Sequence, residues 1–318
     1  MRLNKILLIN VEKALLDDAA WNDLVSLAEK YVALPKDDPR IMDELKDTDC
    51  LLTGYAIPVT REHIDAAPNL KYIGTFAIAF HAIDTVAARE RGIPVTNLAG
   101  YCTESVAEFI IAVLLNEMRH LDEGKERVRN NSYEFGRLNI SEIKGKTFGI
   151  FGLGGIGARV AELAQGFGAH VCYWSRTRKE SVEAKDMSYK EKDVLLSEAD
   201  FISLNFAHTP ETDTFLDEHA FSLIKPGAII ICTVPIETVN LDALENRLKK
   251  NDVVFITDHA EQLNASDPTR FRAYPNCIQY PAIAFNSIEA KKNMRKLFVG
   301  NITNYLNGTQ TNVVNGAI

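Results

Sequence analysis

The residues best suited to chemistry are the glycines of Thr147-Phe-Gly-Ile-Phe-Gly-Leu-Gly-Gly-Ile-Gly157, a short apolar strand that runs into Gly152-x-Gly154-x-x-Gly157. A helix-like stretch, Ala158 to Phe167, follows. Bare backbone there lets a pyrophosphate come close. The exposed N–H groups and the dipole at the start of the next helix attract its negative charge. Gly152, Leu153, Gly154, Gly155, Ile156 and Gly157 are therefore candidate cofactor contacts. Glycines alone would be a weak signal. A second apolar run from Ala169 to Trp174 completes the strand-helix-strand context that distinguishes a dinucleotide site from a flexible turn.

The end of that second run bears on which dinucleotide is held. An acidic residue about 20 positions beyond the glycines usually binds an unmodified ribose, whereas a nearby Arg suits a 2′-phosphate. Here the chain reads Tyr173-Trp-Ser-Arg-Thr-Arg-Lys179, with Ser175 in the acid's place. Arg176, Arg178 and Lys179 offer charge-assisted hydrogen bonds, and Ser175 or Thr177 a hydroxyl. The turn favours NADP(H) over NAD(H), although a solvated basic turn is the ordinary alternative.

These groups need a sheet to carry them. Residues 5–9, 49–53, 71–75 and 94–96 have strand character, with helical stretches at about 13–30, 39–46, 60–66 and 83–91, an alternation expected of a small parallel α/β domain. A long apolar helix spans Thr103 to Leu121, with Thr103 or Ser105 at its cap. The polar segment from Asp122 to Ile143, with Tyr133 and Phe135 isolated in it, is expected to be a connector or a dimer arm. Six strands follow, near 147–151, 169–174, 200–204, 228–232, 253–257 and 277–280, enough for a doubly wound nucleotide domain. The run Asn286 to Leu306 is long enough to return to the first domain. The expected fold is α/β, two Rossmann-like doubly wound parallel-sheet domains with a cleft between them. Residues 1–102 with 283–318 make the flavodoxin-like substrate domain, and 103–282 the nucleotide domain.

Composition narrows the classes further. The 318 residues are 46% hydrophobic and 25% charged, ordinary values for a globular protein with sizeable cores. Forty-three acidic against thirty-five basic residues give a net charge of −8, which opposes non-specific binding to nucleic acid or anionic membranes. The five cysteines lack C-x-x-C spacing, which points to reduced thiols in the cytoplasm rather than a disulfide scaffold or a zinc site. The apolar N-terminal run is too short for a signal segment, and Val106 to Leu115 is too short to span a bilayer.

Nearly the whole chain resembles the D-isomer-specific 2-hydroxyacid dehydrogenases. The likeness is carried by Ala87-Ala-Arg-Glu-Arg-Gly-Ile-Pro-Val95, Ser105-Val-Ala-Glu108, Gly145 to Gly157, Phe167-Gly168, Ser203-Leu204, Thr209-Pro-Glu-Thr212 and Lys225-Pro-Gly-Ala228. It implies a homodimer, and it brings Phe206, Thr212, Thr233, Val234 and Asp258 to the cofactor, with Asp258 beside the nicotinamide. It also implies a substrate pocket formed by Tyr55, Ala77, Ile78, Ala79 and Tyr101, in which the backbone N–H groups of the Phe76–His81 loop hold a carboxylate.

The family's chemistry rests on an Arg that clamps the 2-oxo acid and a His, oriented by a Glu, that exchanges the proton. This chain places Pro235, Ala282 and Leu263 at those three positions. None of them can pair with a carboxylate or move a proton. Substitute donors are Glu261, three residues after Asp258; His81 in the substrate loop; and Tyr280, a phenol that can act as an acid where a neighbouring charge lowers its pKa. Tyr55, Tyr101, His208 and His259 are further lining candidates. Each has an ordinary structural reading as a packed or solvated side chain. The leading expectation is an NADP(H)-dependent oxidoreductase with an unusual ketone or imine substrate and a rearranged proton donor. A catalytically degenerate NADP(H) sensor or scaffold, and a 2-oxo acid reductase with displaced residues, are the alternatives.

Overall fold

A computed structural model of the protein describes residues 2–316 apart from 135, 137, 138, 184 and 185. The chain divides into two units, Met1–Tyr101 with Ile288–Ile318, and Cys102–Ser287.

In the first unit, short apolar runs bounded by turns become the inner strands, covered on both faces as a parallel sheet requires. β1 (Leu3–Ile9), β2 (Ala28–Leu34), β3 (Cys50–Thr53), β4 (Tyr72–Thr75) and β5 (Val95–Thr96) lie in the order β2-β1-β3-β4-β5, all parallel. Leu7, Leu51 and Ile73 pack with Ile64 and Ala87 in one core. Leu8, Leu52 and Tyr72 pack with Phe298 and Ile302 in another. The last two belong to the helix Ile288–Leu306, whose Asn301 Nδ2 also donates to the Asn97 carbonyl at 2.9 Å.

The helix expected over 13–30 is shorter. Asp17 caps Asp18–Ser26 by accepting from the Ala20 amide at 2.9 Å, and residues 28–34 form β2 instead. That strand sits at the sheet edge with only its two ends buried. Its Glu29, Lys30 and Tyr31 face solvent, so the helix-forming composition was overridden by backbone pairing with β1.

The second unit holds β6 (Thr147–Phe151), β7 (His170–Trp174), β8 (Ser188–Tyr189), β9 (Phe201–Leu204), β10 (Ile229–Cys232), β11 (Val254–Thr257) and β12 (Cys277–Gln279). Their order is β12-β11-β10-β9-β6-β7-β8, again all parallel. The extra strand beyond the six expected is β8, a two-residue edge too short to show a pattern.

The long helix runs Thr103–Met118 and is preceded by Cys102, which makes no side-chain cap, so neither Thr103 nor Ser105 is the cap. His120 takes a left-handed conformation with φ 49° and breaks the helix. The expected connector then begins as a further helix, Leu121–Arg129, with no buried residue. Ion pairs such as Arg127–Glu123 at 2.7 Å and Lys125–Asp122 at 3.1 Å support it, as solvated helices of this kind require. Phe135 lies outside the described residues, whereas Tyr133 is 74% exposed.

Residues 283–287, expected in the substrate domain, belong to the second unit. The Ala284 amide donates to Asp258 Oδ2 at 3.1 Å, and Ser105 Oγ donates to the Ala284 carbonyl at 2.6 Å. No helix among the described residues is long and apolar enough to cross a membrane.

Candidate active site

The order of strands in the second unit reverses direction between β6 and β9. Ligands of open α/β sheets bind beyond the carboxyl ends of the strands at such a point. Gly152 begins the turn that leaves β6, and Asn205 and Phe206 leave β9 beside it, the Asn205 amide donating to the Phe151 carbonyl at 2.7 Å. Two glycines are required by the fold itself. Gly152 has φ +93°, and a Cβ there would lie 2.8 Å from the Asn205 carbonyl oxygen. A Cβ on Gly157 would lie 2.0 Å from the Gly152 carbonyl oxygen. Gly154 differs. It has no left-handed backbone, and a Cβ there would meet nothing within 4 Å. The helix Gly155–Gly166 starts directly behind it, so its first-turn amides lack intrahelical acceptors. Open space before a helix N-terminus, with close backbone packing behind, suits a dinucleotide pyrophosphate.

The ribose-end turn leaves β7, the neighbour of β6; the Gly152 amide donates to the Trp174 carbonyl at 2.8 Å. Ser175 is 9% exposed and its Oγ donates to the Thr177 carbonyl at 2.7 Å, closing the turn. The basic residues there are not equivalent. Arg178 makes a two-pronged pair with Glu183, Nε to Oε1 at 2.8 Å and Nη2 to Oε2 at 2.7 Å. It is therefore not the open phosphate ligand that its position in sequence suggested. Glu183 also accepts from the Tyr173 hydroxyl at 2.9 Å. Lys179 folds back, its Nζ donating to the Leu153 carbonyl in the glycine turn. Arg176 is exposed and forms no ion pair among the described residues.

Further along the same edge, the Phe206 ring packs 4.7 Å from that of Phe215. Thr212 Oγ1 accepts from the Thr209 amide and donates to the Ala207 carbonyl, both at 2.8 Å, which shapes the loop after β9. Thr233, Val234 and Pro235 follow β10, and Asp258 follows β11. The residues expected at the cofactor are thus brought to one sheet edge from β6, β7, β9, β10 and β11.

Asp258 is 2% exposed. Its Oδ2 accepts from Ala284, but Oδ1 has no hydrogen-bond partner among the described residues. Burial pushes this carboxyl above its ordinary value, with the neighbouring His259 opposing that rise. The unfolded chain then ionises at lower pH than the folded one, so stability falls as pH rises from about the ordinary 3.8 through the raised value. Asp258→Asn is accordingly expected to raise the thermal midpoint at pH 7 and to give no gain at pH 3. Unfolding scans at the two pH values check this, and a variant less stable at pH 7 would contradict it.

Glu261 lies in the first turn of the short helix Ala260–Leu263 and is 54% exposed; its Oε1 lies 3.2 Å from His259 Nδ1. Leu263 is a core residue at 1% exposure. Tyr280 does not fit the role expected of it. Its ring packs edge-on against Phe109 at 5.6 Å, and burial together with Asp122 and Glu117 raises its pKa rather than lowering it. His208 pairs with Asp213 at 2.9 Å at an exposed site.

The substrate-side candidates lie in the first unit. Tyr55 follows β3, Ala77, Ile78 and Ala79 follow β4, and Tyr101 comes after β5. They share the carboxyl edge of that sheet, whose direction reverses between β1 and β3. The loop is tied down by Leu98 N to the Ala77 carbonyl at 2.9 Å and Asn97 Nδ2 to the Ile78 carbonyl at 2.7 Å. Ile78 at 40% and Phe80 at 37% are exposed apolar side chains of this loop, and Tyr55, after β3, is 65% exposed. His81 is exposed in the same loop.

Residues 111–284 match the model of the D-isomer specific 2-hydroxyacid dehydrogenase NAD binding domain. The chain belongs to the D-isomer-specific 2-hydroxyacid dehydrogenase family. Among its oxidoreductase relatives, a glyoxylate reductase of Thermococcus litoralis is 32% identical over 300 residues, covering 89% of this chain and 90% of its own. A hydroxypyruvate reductase of Blautia hydrogenotrophica is 29% identical, covering 94% and 95%. Two dehydrogenase-fold structures are also similar. An acyclic imino acid reductase in complex with NADPH and D-Arg superposes with TM-score 0.83 at 26% identity, covering 98% and 99%. A D-lactate dehydrogenase from Aquifex aeolicus complexed with NAD and lactic acid gives 0.77 at 27%, covering 95% and 96%. The similar structures therefore include one complex with NADPH and one with NAD.

The sequence reading missed the pairing of His259 with Glu261. The signal was present as a His and an acid two positions apart next to Asp258, but only the turn into the helix Ala260–Leu263 brings them together.

Proposed function

We propose that the protein is an NADP(H)-dependent reductase of a ketone or imine outside the family's ordinary 2-oxo acid set. The observation that carries this reading is the glycine turn open at Gly154, beside a ribose-end turn with Ser175 and an exposed Arg176 instead of a carboxylate. In this reading Gly152 to Gly157 hold the pyrophosphate, and Ser175, Arg176 and Thr177 hold the phosphorylated ribose. Phe206, Thr212, Thr233, Val234 and Asp258 line the path to the nicotinamide. A nicotinamide dinucleotide bound there supplies a hydride. Pro235 and Ala282, at the family's Arg and His positions, neither grip a carboxylate nor move a proton, which is why a less acidic substrate is favoured. The apolar exposed face of Tyr55, Ile78 and Phe80 suits such a compound, and the similar imino acid reductase with NADPH supports the imine class.

The test is NADPH consumption, followed by absorbance, across a panel of ketones, imines formed from ketones and amines, and simple 2-oxo acids. Turnover is expected with ketones or imines. Preference for glyoxylate or hydroxypyruvate would select the activity named for the relatives instead. Tight NADPH binding with no consumption anywhere would select a sensor or scaffold. The same reading makes the protein a cytoplasmic homodimer. The exposed Leu121, Val128 and Tyr133 around the solvated helix support the dimer, and sedimentation velocity measures its mass.

A further inference from the structure

Among the described side chains of the second unit, His259 alone presents an imidazole between two carboxylates at the carboxyl edge of the sheet. Its Nδ1 lies 3.2 Å from Glu261 Oε1, and its Nε2 lies 3.7 Å from Asp258 Oδ1, beyond hydrogen-bond reach. The side chain is 18% exposed. The loop around it is braced on every side. The His259 amide donates to Thr257 Oγ1 at 3.1 Å, the Ala260 amide to the Tyr280 carbonyl at 3.1 Å, and the Ile236 amide to Gln262 Oε1 at 3.1 Å. Asn264 Nδ2 donates to Gln279 Oε1 at 2.7 Å. The last two bonds tie the loop after β11 to the loop after β10 and to β12. β11 stands three strand spacings from the glycine turn of β6, about 14 Å away, toward the end of the edge where Asp258 carries its unpartnered buried oxygen.

Building on the proposed reductase activity, we infer that His259 is the proton donor of this protein and that Glu261 positions it, a dyad two residues apart in sequence. Glu261 accepts from Nδ1–H, which fixes the tautomer and leaves Nε2 as the working nitrogen. In the reduction of a C=O or C=N bond, hydride from the dihydronicotinamide forms the new C–H bond and the nicotinamide is left oxidised. The π pair released onto oxygen or nitrogen takes the Nε2 proton of the imidazolium, which is left as the neutral Nδ1–H ring and regains a proton from solvent. Asp258 and Glu261 are the charged groups that face the ring. Asp258 supplies no proton of its own in this step.

The test combines turnover with a readout that needs no cofactor. His259→Ala is expected to lower kcat by about 10²–10⁴-fold while leaving NADPH affinity by calorimetry within about twofold. In long-range ¹⁵N–¹H spectra of the cofactor-free protein, the neutral His259 ring is expected to carry its proton on Nδ1. Glu261→Ala is expected to move it to Nε2 and lower kcat with little change in KM, whereas Glu261→Gln, which keeps an acceptor, retains the Nδ1–H tautomer. Full turnover in His259→Ala, or an Nε2–H ring in the unaltered protein, overturns this inference and leaves the reductase reading standing. An unaltered protein that consumes no NADPH across the panel overturns both.

Discussion

Replacing Gly154 with leucine is expected to leave the protein as stable as before and to remove most of its affinity for NADPH. The reason is spatial. A Cβ at Gly154 meets nothing within 4 Å, and the residue's backbone is one that any side chain adopts. A leucine there points into the space that the pyrophosphate would fill and screens the first-turn amides of the helix Gly155–Gly166. Losing two hydrogen bonds to a charged phosphate, at about 1.5–3 kcal/mol each, weakens binding by more than about 100-fold.

Gly157→Ala is the contrasting control. Its Cβ would stand 2.0 Å from the Gly152 carbonyl oxygen, so the helix must move off the strand, and both the unfolding midpoint and NADPH affinity should fall. Calorimetric titration and thermal unfolding of the two variants decide the matter. If Gly154→Leu binds NADPH normally, the dinucleotide does not lie over this turn.

The second large effect concerns discrimination between the coenzymes. Arg176→Ala is expected to weaken NADPH by about 10–100-fold, the value of one charge-assisted hydrogen bond, with NADH nearly unchanged. Arg178→Ala should do much less to the preference, because that guanidinium is already held at both prongs by Glu183. Removing it instead releases Glu183, which Arg178 holds below the ordinary carboxylate range. A freed carboxylate near the ribose would repel a 2′-phosphate and shift the preference modestly toward NADH. Equal losses for both coenzymes in Arg176→Ala would mean that the turn supports the fold rather than selecting the phosphate.

That a dinucleotide turn exists was legible in Gly152-x-Gly154-x-x-Gly157, because strand, glycines and helix are consecutive in the chain and each element's pattern is local. The parallel α/β character of both units was legible for the same reason, since buried strands such as Ile229–Cys232 and Cys50–Thr53 are uninterrupted apolar runs. The edge strand Ala28–Leu34 was not. Only its ends are buried, so most of its side chains report solvent rather than a partner strand.

Side-chain pairing was the least legible level. Sequence alone could name Arg176, Arg178 and Lys179 as a basic turn, but three cations in a row carry no sign of which is already engaged. Tertiary structure decided it by placing Glu183 against Arg178 and the Leu153 carbonyl against Lys179. The same holds at the other end of the sheet. Asp258, His259 and Glu261 were present in the sequence as neighbours. The burial that raises Asp258, and the turn that sets His259 Nδ1 against Glu261, depend on Ala284, Ile236 and Tyr280 arriving from elsewhere. Residue type and local spacing therefore determined which groups and which elements this protein has. Desolvation and charge pairing depend on how each turn folds and on distant partners such as Ala284 and Ile236, so only the folded chain could decide which of those groups are free to act.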